Sequence, residues 1–160
     1  MLIREITIED NEIIASIIRT VMKEFHADPK TTILGDPTLD NMFTNYQSTG
    51  SAYFILEEND VVVGGCGLKH LDNSKENICE LQRMFLLPES RGKGYGKKLI
   101  DLCLKKAREF GYEFIYLETL SQMKKAIQIY ETAGFKKINN PKGNTGHSGC
   151  NVYMSMTLEK

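Results

Sequence analysis

The residues whose spacing suggests chemistry stand in "LLPESRGKGYGKKLI", from Leu86 to Ile100, where Gly92, Gly94 and Gly96 alternate with Lys93 and Tyr95 behind Arg91. An apolar strand-like run precedes them and an amphipathic run follows. A glycine-rich turn that leads from a strand into a helix leaves backbone N–H groups pointing outward, and the helix dipole adds partial positive charge there. Arg91 and Lys93 add full charges, and a guanidinium suits bidentate contact with phosphate. The stretch therefore reads as an anion cradle over residues 91–96, set against the plainer reading of a tight turn flanked by solvated lysines.

Two familiar phosphate motifs do not fit. The P-loop pattern fails because Gly92 is followed five places later by Lys97 with no Ser or Thr behind it. The dinucleotide fingerprint fails because a third glycine would be needed at 97. Other reactive residues are scattered. Cys66, Cys79, Cys103 and Cys150 form no C-x-x-C pair and read as isolated core thiols. His147 and Cys150, in "HSGC", would make half a metal site with no second half nearby, so no metal is expected. Of His26, His70 and His147, the last has the best claim to touch a substrate, since "KGNTGHSG" reads as a flexible loop.

The elements that must position the cradle follow from periodicity. Leu2 to Thr7 alternates as a strand, and apolar residues at Ile13, Ile17, Val21 and Phe25 mark a helix. Asp28 to Pro37 reads as a loop and Thr38 to Tyr46 as a second helix. "SAYFILEENDVVVGGCGLKHL" is two strands about an Asn59-Asp60 turn, with Gly64, Gly65 and Gly67 marking a bulge or a close neighbour. "NICELQRMFLLP" is a strand ending at Pro88, and Lys97 to Phe110 a helix stopped by Gly111. "YEFIYLETL" is a strand, followed by a helix capped by Ser121 and ended by Gly134, with Met123, Ala126, Ile127, Tyr130 and Ala133 on one face. "FKKI" and "CNVYMSMTL" are final strands. The early consecutive strands favour antiparallel pairing, while the strand at 77–87, its crossover helix and the strand at 112–119 demand a parallel pair. The expected fold class is α/β (α+β), with a mixed sheet and helices on both faces.

Length and charge set outer bounds. At 160 residues, one domain over 1–160 is expected. With 20 Lys plus Arg against 21 Asp plus Glu there is no basic excess of the kind nucleic-acid binding requires. No apolar run approaches the roughly 18 residues of a membrane span, and "MLIREITIED" alternates unlike a signal peptide. No nucleic-acid or membrane partner is expected, and the location is read as cytoplasmic.

Arg91, Gly94 and Gly96 match an R/Q-x-x-G-x-G/A signature directly after a strand ending "MFLLPES", and "AIQIYETAGF" from Ala126 to Phe135 matches a closing helix and strand. In both respects the chain resembles the GNAT N-acetyltransferases, over nearly its whole length. It is also similar to small stand-alone bacterial members, with "ICELQ" at Ile78–Gln82 and "TGH" at Thr145–His147. The resemblance implies a mostly antiparallel six- to seven-stranded sheet with a splayed central parallel pair. It also implies acetyl-CoA as cofactor and, commonly, a homodimer. The pyrophosphate would rest on the amides of Gly92, Lys93, Gly94, Tyr95 and Gly96 with Arg91 nearby, and the pantetheine arm along the main chain of Met84, Phe85 and Leu86. One departure is Met123, where many members carry Asn three residues before the closing helix's alanine.

Transfer of acetyl to an amine needs a neutral amine and a leaving thiolate. Deprotonating a lysine-like amine at pH 7 costs about 4.6 kcal/mol, and an α-amine near pKa 8 about 1.4 kcal/mol. Glu80 is the candidate base, sharing its face with Gln82 and Met84 unless a bulge intervenes, against the reading of a solvated carboxylate or a partner for Arg83. Tyr130 is the candidate donor to the departing sulfur, against a core aromatic. An amide of Met84 or Phe85 could hold the oxyanion. The expected activity is N-acetylation of a primary amine on a small molecule or peptide. The alternative is a non-catalytic acyl-CoA-binding or sensing domain.

Overall fold

The computed structural model describes residues 1–159. Seven strands form one sheet in the order β1-β2-β3-β4-β5-β7-β6. They are β1 Leu2–Glu5, β2 Ala52–Glu58, β3 Val61–His70, β4 Ile78–Leu86, β5 Phe114–Thr119, β6 Lys136–Ile138 and β7 Val152–Thr157. Only β4 and β5 run parallel, in register from Ile78 against Phe114 to Glu80 against Tyr116. Beyond Glu80 their pairing stops while β4 continues to Leu86 on β3, so the two strands splay into a V. The expected mixed sheet and splayed parallel pair are both present.

The helices are α1 Asn11–Glu24, α2 Met42–Asn45, α3 Tyr95–Glu109 and α4 Lys124–Ala133. On one face, Ile14, Ile17, Ile18 and Val21 of α1 pack with Tyr53, Ile55 and Phe85. On the other, Leu99, Ile100 and Cys103 of α3 and Ile127 and Tyr130 of α4 pack with Leu81, Ile115 and Leu117. Strands buried on both faces explain why β2 reads as a nearly continuous apolar run.

Three local expectations are corrected. Thr38 to Tyr46 is a 3-10 segment over Pro37–Asn41 followed by the single turn of α2. The Asp36 carboxylate takes both the amide and the hydroxyl of Thr38, at 2.8 and 2.7 Å, which tightens the backbone there. Helix α3 begins two residues earlier than Lys97, at Tyr95, with Gly94 as its N-cap. Helix α4 is preceded by Met123 at the cap position, and Ser121 instead bonds Asn151 through its amide and its hydroxyl.

The turn at Asn59-Asp60 has positive φ at both residues, +52° and +63°, the geometry whose twist matches a two-residue hairpin. The glycines of β3 have close neighbours. A Cβ on Gly65 would stand 2.6 Å from Phe54 O, and one on Gly67 would stand 2.5 Å from Tyr53 Cδ2. Their bareness lets the buried Tyr53 ring lie against the sheet, where its hydroxyl donates to Arg83 O at 2.9 Å.

Candidate active site

Between Gly65 and Gly67 the register with β4 slips by one, so β4 carries an extra residue there. Arg83 absorbs it with φ +52°, a left-handed value costly for a residue with a Cβ. The consequence is an exchange of faces. Leu81 packs with α3 and α4, and so does Met84, whereas Phe85 packs against α1. Met84 therefore does not share a face with Glu80 and Gln82; the bulge intervenes.

At the mouth of the V, Gly92 and Gly94 take φ +76° and +78°. Lys98 N–H closes on Gly94 O, the first helical bond of α3, and among the described residues the amides of Gly92 through Lys97 have no acceptor. All of these residues but Lys93 line one side of a groove of about 640 Å³ lined also by Met84, Phe85, Leu86, Met123, Lys125 and Ile129. The turn that the sequence reads as an anion cradle thus leaves its backbone amides without a partner in the protein.

Its side chains are arranged differently. Arg91 makes a two-pronged ion pair with Glu24 on α1, both contacts 2.7 Å, and its Nε donates to Leu86 O at 3.0 Å. The guanidinium ties α1 to the loop and lines the groove already paired. Lys93 and Tyr95 both turn to Glu58, at 2.8 and 2.7 Å. Lys125, at the start of α4, lines the groove and makes no ion pair among the described residues. Sequence reading passed over it because one lysine in a Lys-Lys pair carries no signal until the helix is docked beside the glycine loop.

Leu87 N–H bonds Val63 O at 2.9 Å, so by strand alternation the main chain of Phe85 also faces β3 and that of Leu86 faces the gap. Of the three residues expected to offer main-chain groups to a ligand, Phe85 thus turns its main chain to β3 and its side chain into the core beside α1.

Deeper in the V a second cavity, about 80 Å³, shares Met84, Phe85 and Met123 with the groove. It is lined from one face by Met22, Thr32 and Ile33, and from the other by Tyr130. The gap between β4 and β5 is what lets the two faces meet. Glu80 is 5% exposed and accepts one bond, from Gln82 Nε2, while Gln82 accepts from Tyr46 OH at 3.0 Å. Burial pushes the Glu80 carboxyl up to about 7; the neighbouring Glu118 and Asp72 add to the rise, and Gln82 and Lys69 oppose it. Tyr130 is 7% exposed, its ring edge-on to Phe135, and its hydroxyl has no hydrogen-bond partner among the described residues. Burial raises its pKa further above the ordinary phenol value.

Glu118, on β5, was missed by sequence reasoning. It accepts from Tyr116 OH and from Thr145 Oγ1, each at 2.7 Å. Its alternation with Tyr116 was legible, but only the β4/β5 register sets it on the face that carries Glu80. His147, expected near substrate, lines the same cavity with Nε2 3.4 Å from Asp36 Oδ2. Burial, with the carboxylates of Glu118 and Glu80, pushes the Cys150 thiol up to about 12, which keeps it protonated and poorly nucleophilic at neutral pH. No group of three or more potential metal ligands occurs among the described residues, and no helix among them is long and apolar enough to cross a membrane.

Residues 14–135 match the family model described as the Acetyltransferase (GNAT) family. The chain belongs to the GNAT acetyltransferase family. It is 43% identical over 157 residues to the uncharacterized N-acetyltransferase YjgM of Escherichia coli (strain K12), covering 97% of this chain and 93% of that protein. Against the IAA acetyltransferase of Azospirillum brasilense it is 29% identical over 105 residues, 66% of this chain and 67% of the relative. Among solved structures, a GNAT acetyltransferase from Staphylococcus aureus Mu50 is similar with a TM-score of 0.86 at 26% identity, over 99% of both chains. The YncA acetyltransferase of Salmonella typhimurium, solved with acetyl-CoA, shares the fold with a TM-score of 0.77 at 23% identity, over 100% of this chain and 95% of that one.

Proposed function

We propose that residues 1–160 form one cytoplasmic acetyltransferase domain that moves an acetyl group from acetyl-CoA to a primary amine of a small molecule or peptide. The observation that carries this reading is that two cavities meet at shared walls beside the β4/β5 gap. The partnerless amides lie on the outer one, Glu80 and Tyr130 on the inner one, and Met84, Phe85 and Met123 on both.

The groove fits a long, partly anionic donor. Amides of Gly92 to Gly96 would take the diphosphate, Lys125 would add an unpaired charge, and the main chain of Met84 with the amide of Leu86, whose carbonyl is already held by Arg91, would pair with an amide-bearing arm as an added strand does. Arg91 would act by holding the loop to α1. Lys93 and Tyr95 would offer their amides while Glu58 keeps their side chains out of the groove. Bound there, the cofactor supplies an activated acetyl group on a thiol leaving group.

In the reaction the new C–N bond forms as the C–S bond breaks. Glu80, titrating at about 7, is partly ionised at neutral pH and takes the proton the ammonium must lose. The Met84 amide at the bulge would hold the carbonyl oxygen as it gains charge. A thiol titrates near 8.5, far below the raised Tyr130 phenol. The hydroxyl therefore steadies the leaving sulfur as a hydrogen-bond donor more readily than it gives the proton up. Between ammonium and amide the nitrogen loses two protons: the one that Glu80 collects passes through water to bulk solvent, and the one shed by the tetrahedral adduct reaches the thiolate, so the products are the amide, the thiol and one released proton. A module that only sensed the cofactor would need neither the buried carboxylate nor the partnerless phenol, so the sensing alternative is not favoured.

Thiol release from acetyl-CoA over a panel of primary amines tests the proposal. Turnover that slows in Tyr130→Phe, with acetyl-CoA binding retained, is expected. Tight acetyl-CoA binding with no turnover on any amine would overturn it. The dimer suggested by the family would appear as doubled mass in sedimentation.

A further inference from the structure

Four residues that line the inner cavity carry acidic or basic side chains: Glu80, Glu118, Arg83 and His147. Arg83 is already matched. Its guanidinium, 6% exposed, donates to Asp36 Oδ2 at 2.8 Å and to Thr38 Oγ1. Burial works to raise the Asp36 carboxyl, but the Thr38 amide and hydroxyl, with Arg83 and His147, outweigh it and hold it below the usual range, so the pair is ionic. The adjoining recess, lined by Lys30, Asp36 and His147, brings one more cation and no further anion beyond that same Asp36. It is lined also by Thr145, whose hydroxyl bonds Glu118, and Lys30 makes no ion pair with Glu118 among the described residues.

At the β5 end no cation is paired with the carboxylates: Lys69, opposite Glu80 on β3, acts on it only at a distance and makes its own ion pair with Asp72 at 3.6 Å. Glu118 is held by two neutral hydroxyls and has no cationic partner among the described residues. Glu80 has one oxygen without any bond, and Tyr130, more than nine-tenths buried, presents its free hydroxyl to the same space. Glu118 lies two residues beyond the level of Glu80 on β5, roughly 7 Å along the strand. A second cavity, lined by Glu118, Thr145 and His147 under the Pro141–Ser148 loop, continues outward from it.

We propose that Glu118 determines acceptor specificity, its carboxylate holding a second cationic centre of an acceptor whose primary amine reaches Glu80. This rests on the acetyl-transfer reading above. The acceptor class is then a slim amine with two positive charges a short alkyl chain apart. An amino acid is disfavoured, because its carboxylate would be brought against Glu80 or Glu118 with Arg83 already taken. If the reacting nitrogen gives its proton to Glu80, the charge left for Glu118 must come from the other end of the molecule.

The test compares three acceptors of one skeleton, 1,4-diaminobutane, 1-aminobutane and ornithine, by thiol release with the wild type, Glu118→Gln and Glu118→Asp. In the wild type kcat/KM for the diamine should exceed that for either other acceptor by about tenfold or more, the scale of one hydrogen bond to a charged group. In Glu118→Gln the ratio of diamine to monoamine should fall toward one, and Glu118→Asp should restore part of it. A general loss that leaves the ratio intact would mark Glu118 as merely structural and overturn the inference, as would ornithine matching the diamine. Diamine binding, followed by calorimetry without acetyl-CoA, separates the two readings. Binding that depends on Glu118 without turnover would defeat acetyl transfer and leave the specificity assignment standing. Turnover of other amines with no diamine binding would do the reverse.

Discussion

Replacing Glu80 by Gln should make the protein more stable and less active, and the two effects should share one pH dependence. The folded carboxyl titrates at about 7 against an ordinary 4.5, chiefly because burial removes it from water. Since the folded value is the higher one, the folded state binds the proton more tightly than the unfolded chain does. The stabilisation is fully present below about pH 4.5 and is lost as pH rises through about 7. At 1.36 kcal/mol per pH unit, the interval between those values corresponds to about 3 kcal/mol once both states are ionised. Glutamine has the carboxyl's shape, keeps an oxygen for Gln82 Nε2, and has no charge to bury. Urea unfolding of wild type and Glu80→Gln should nearly coincide at about pH 4 and diverge by about 3 kcal/mol in favour of the variant at about pH 8.5. That is roughly 6–12 °C in Tm for a chain of this size. Over the same range, kcat/KM of the wild type should climb through about pH 7 while the variant stays low and flat. If the variant is the less stable protein at pH 8.5, or wild-type stability does not fall with pH, the buried-carboxylate reasoning is refuted.

Tyr130→Phe should lower kcat by roughly ten- to a hundredfold, the scale of a hydrogen bond to a charged group, with little change in calorimetric affinity for acetyl-CoA. Gly94→Ala meets no steric obstacle, yet must hold φ +78°; it should cost about 1 kcal/mol in urea unfolding and weaken coenzyme A binding as the free amides turn from the groove. Tyr53→Phe removes the donor to Arg83 O and should cost roughly 1–3 kcal/mol. Because that bond steadies the bulge between Glu80 and Met84, kcat should fall with it while KM for acetyl-CoA changes less.

Much of this architecture is written in local chemistry. Alternation marks β4 and β5, and three glycines after a strand mark the cradle. A turn of two Asx residues tolerates the left-handed backbone of the β2–β3 hairpin. Each of these depends on neighbours within a few positions, so periodicity and backbone preference suffice to read it. The second helix failed for the same reason turned around: Asp36 captures Thr38 locally, and a capture of that kind competes with helix in a way apolar spacing does not register.

The site divides along the same line. The free amides of residues 92–97 need only the local turn, and so were legible. What Arg91 and Lys93 do with their charge was decided by Glu24 and Glu58, 67 and 35 residues away. The bulge at Arg83 arises from the match of β4 to the glycines of β3, and it alone assigns Glu80 and Met84 to opposite faces. Glu118 became a partner of Glu80 only through the parallel register, and Tyr130 reached their cavity only because the strands part beyond it. Sequence by itself determined where the backbone is left without partners and which strands must exist, because those are properties of short segments. The tertiary structure decided which charges remain unpaired and which side chains share a cavity, because electrostatic pairing and burial depend on residues that only folding brings together.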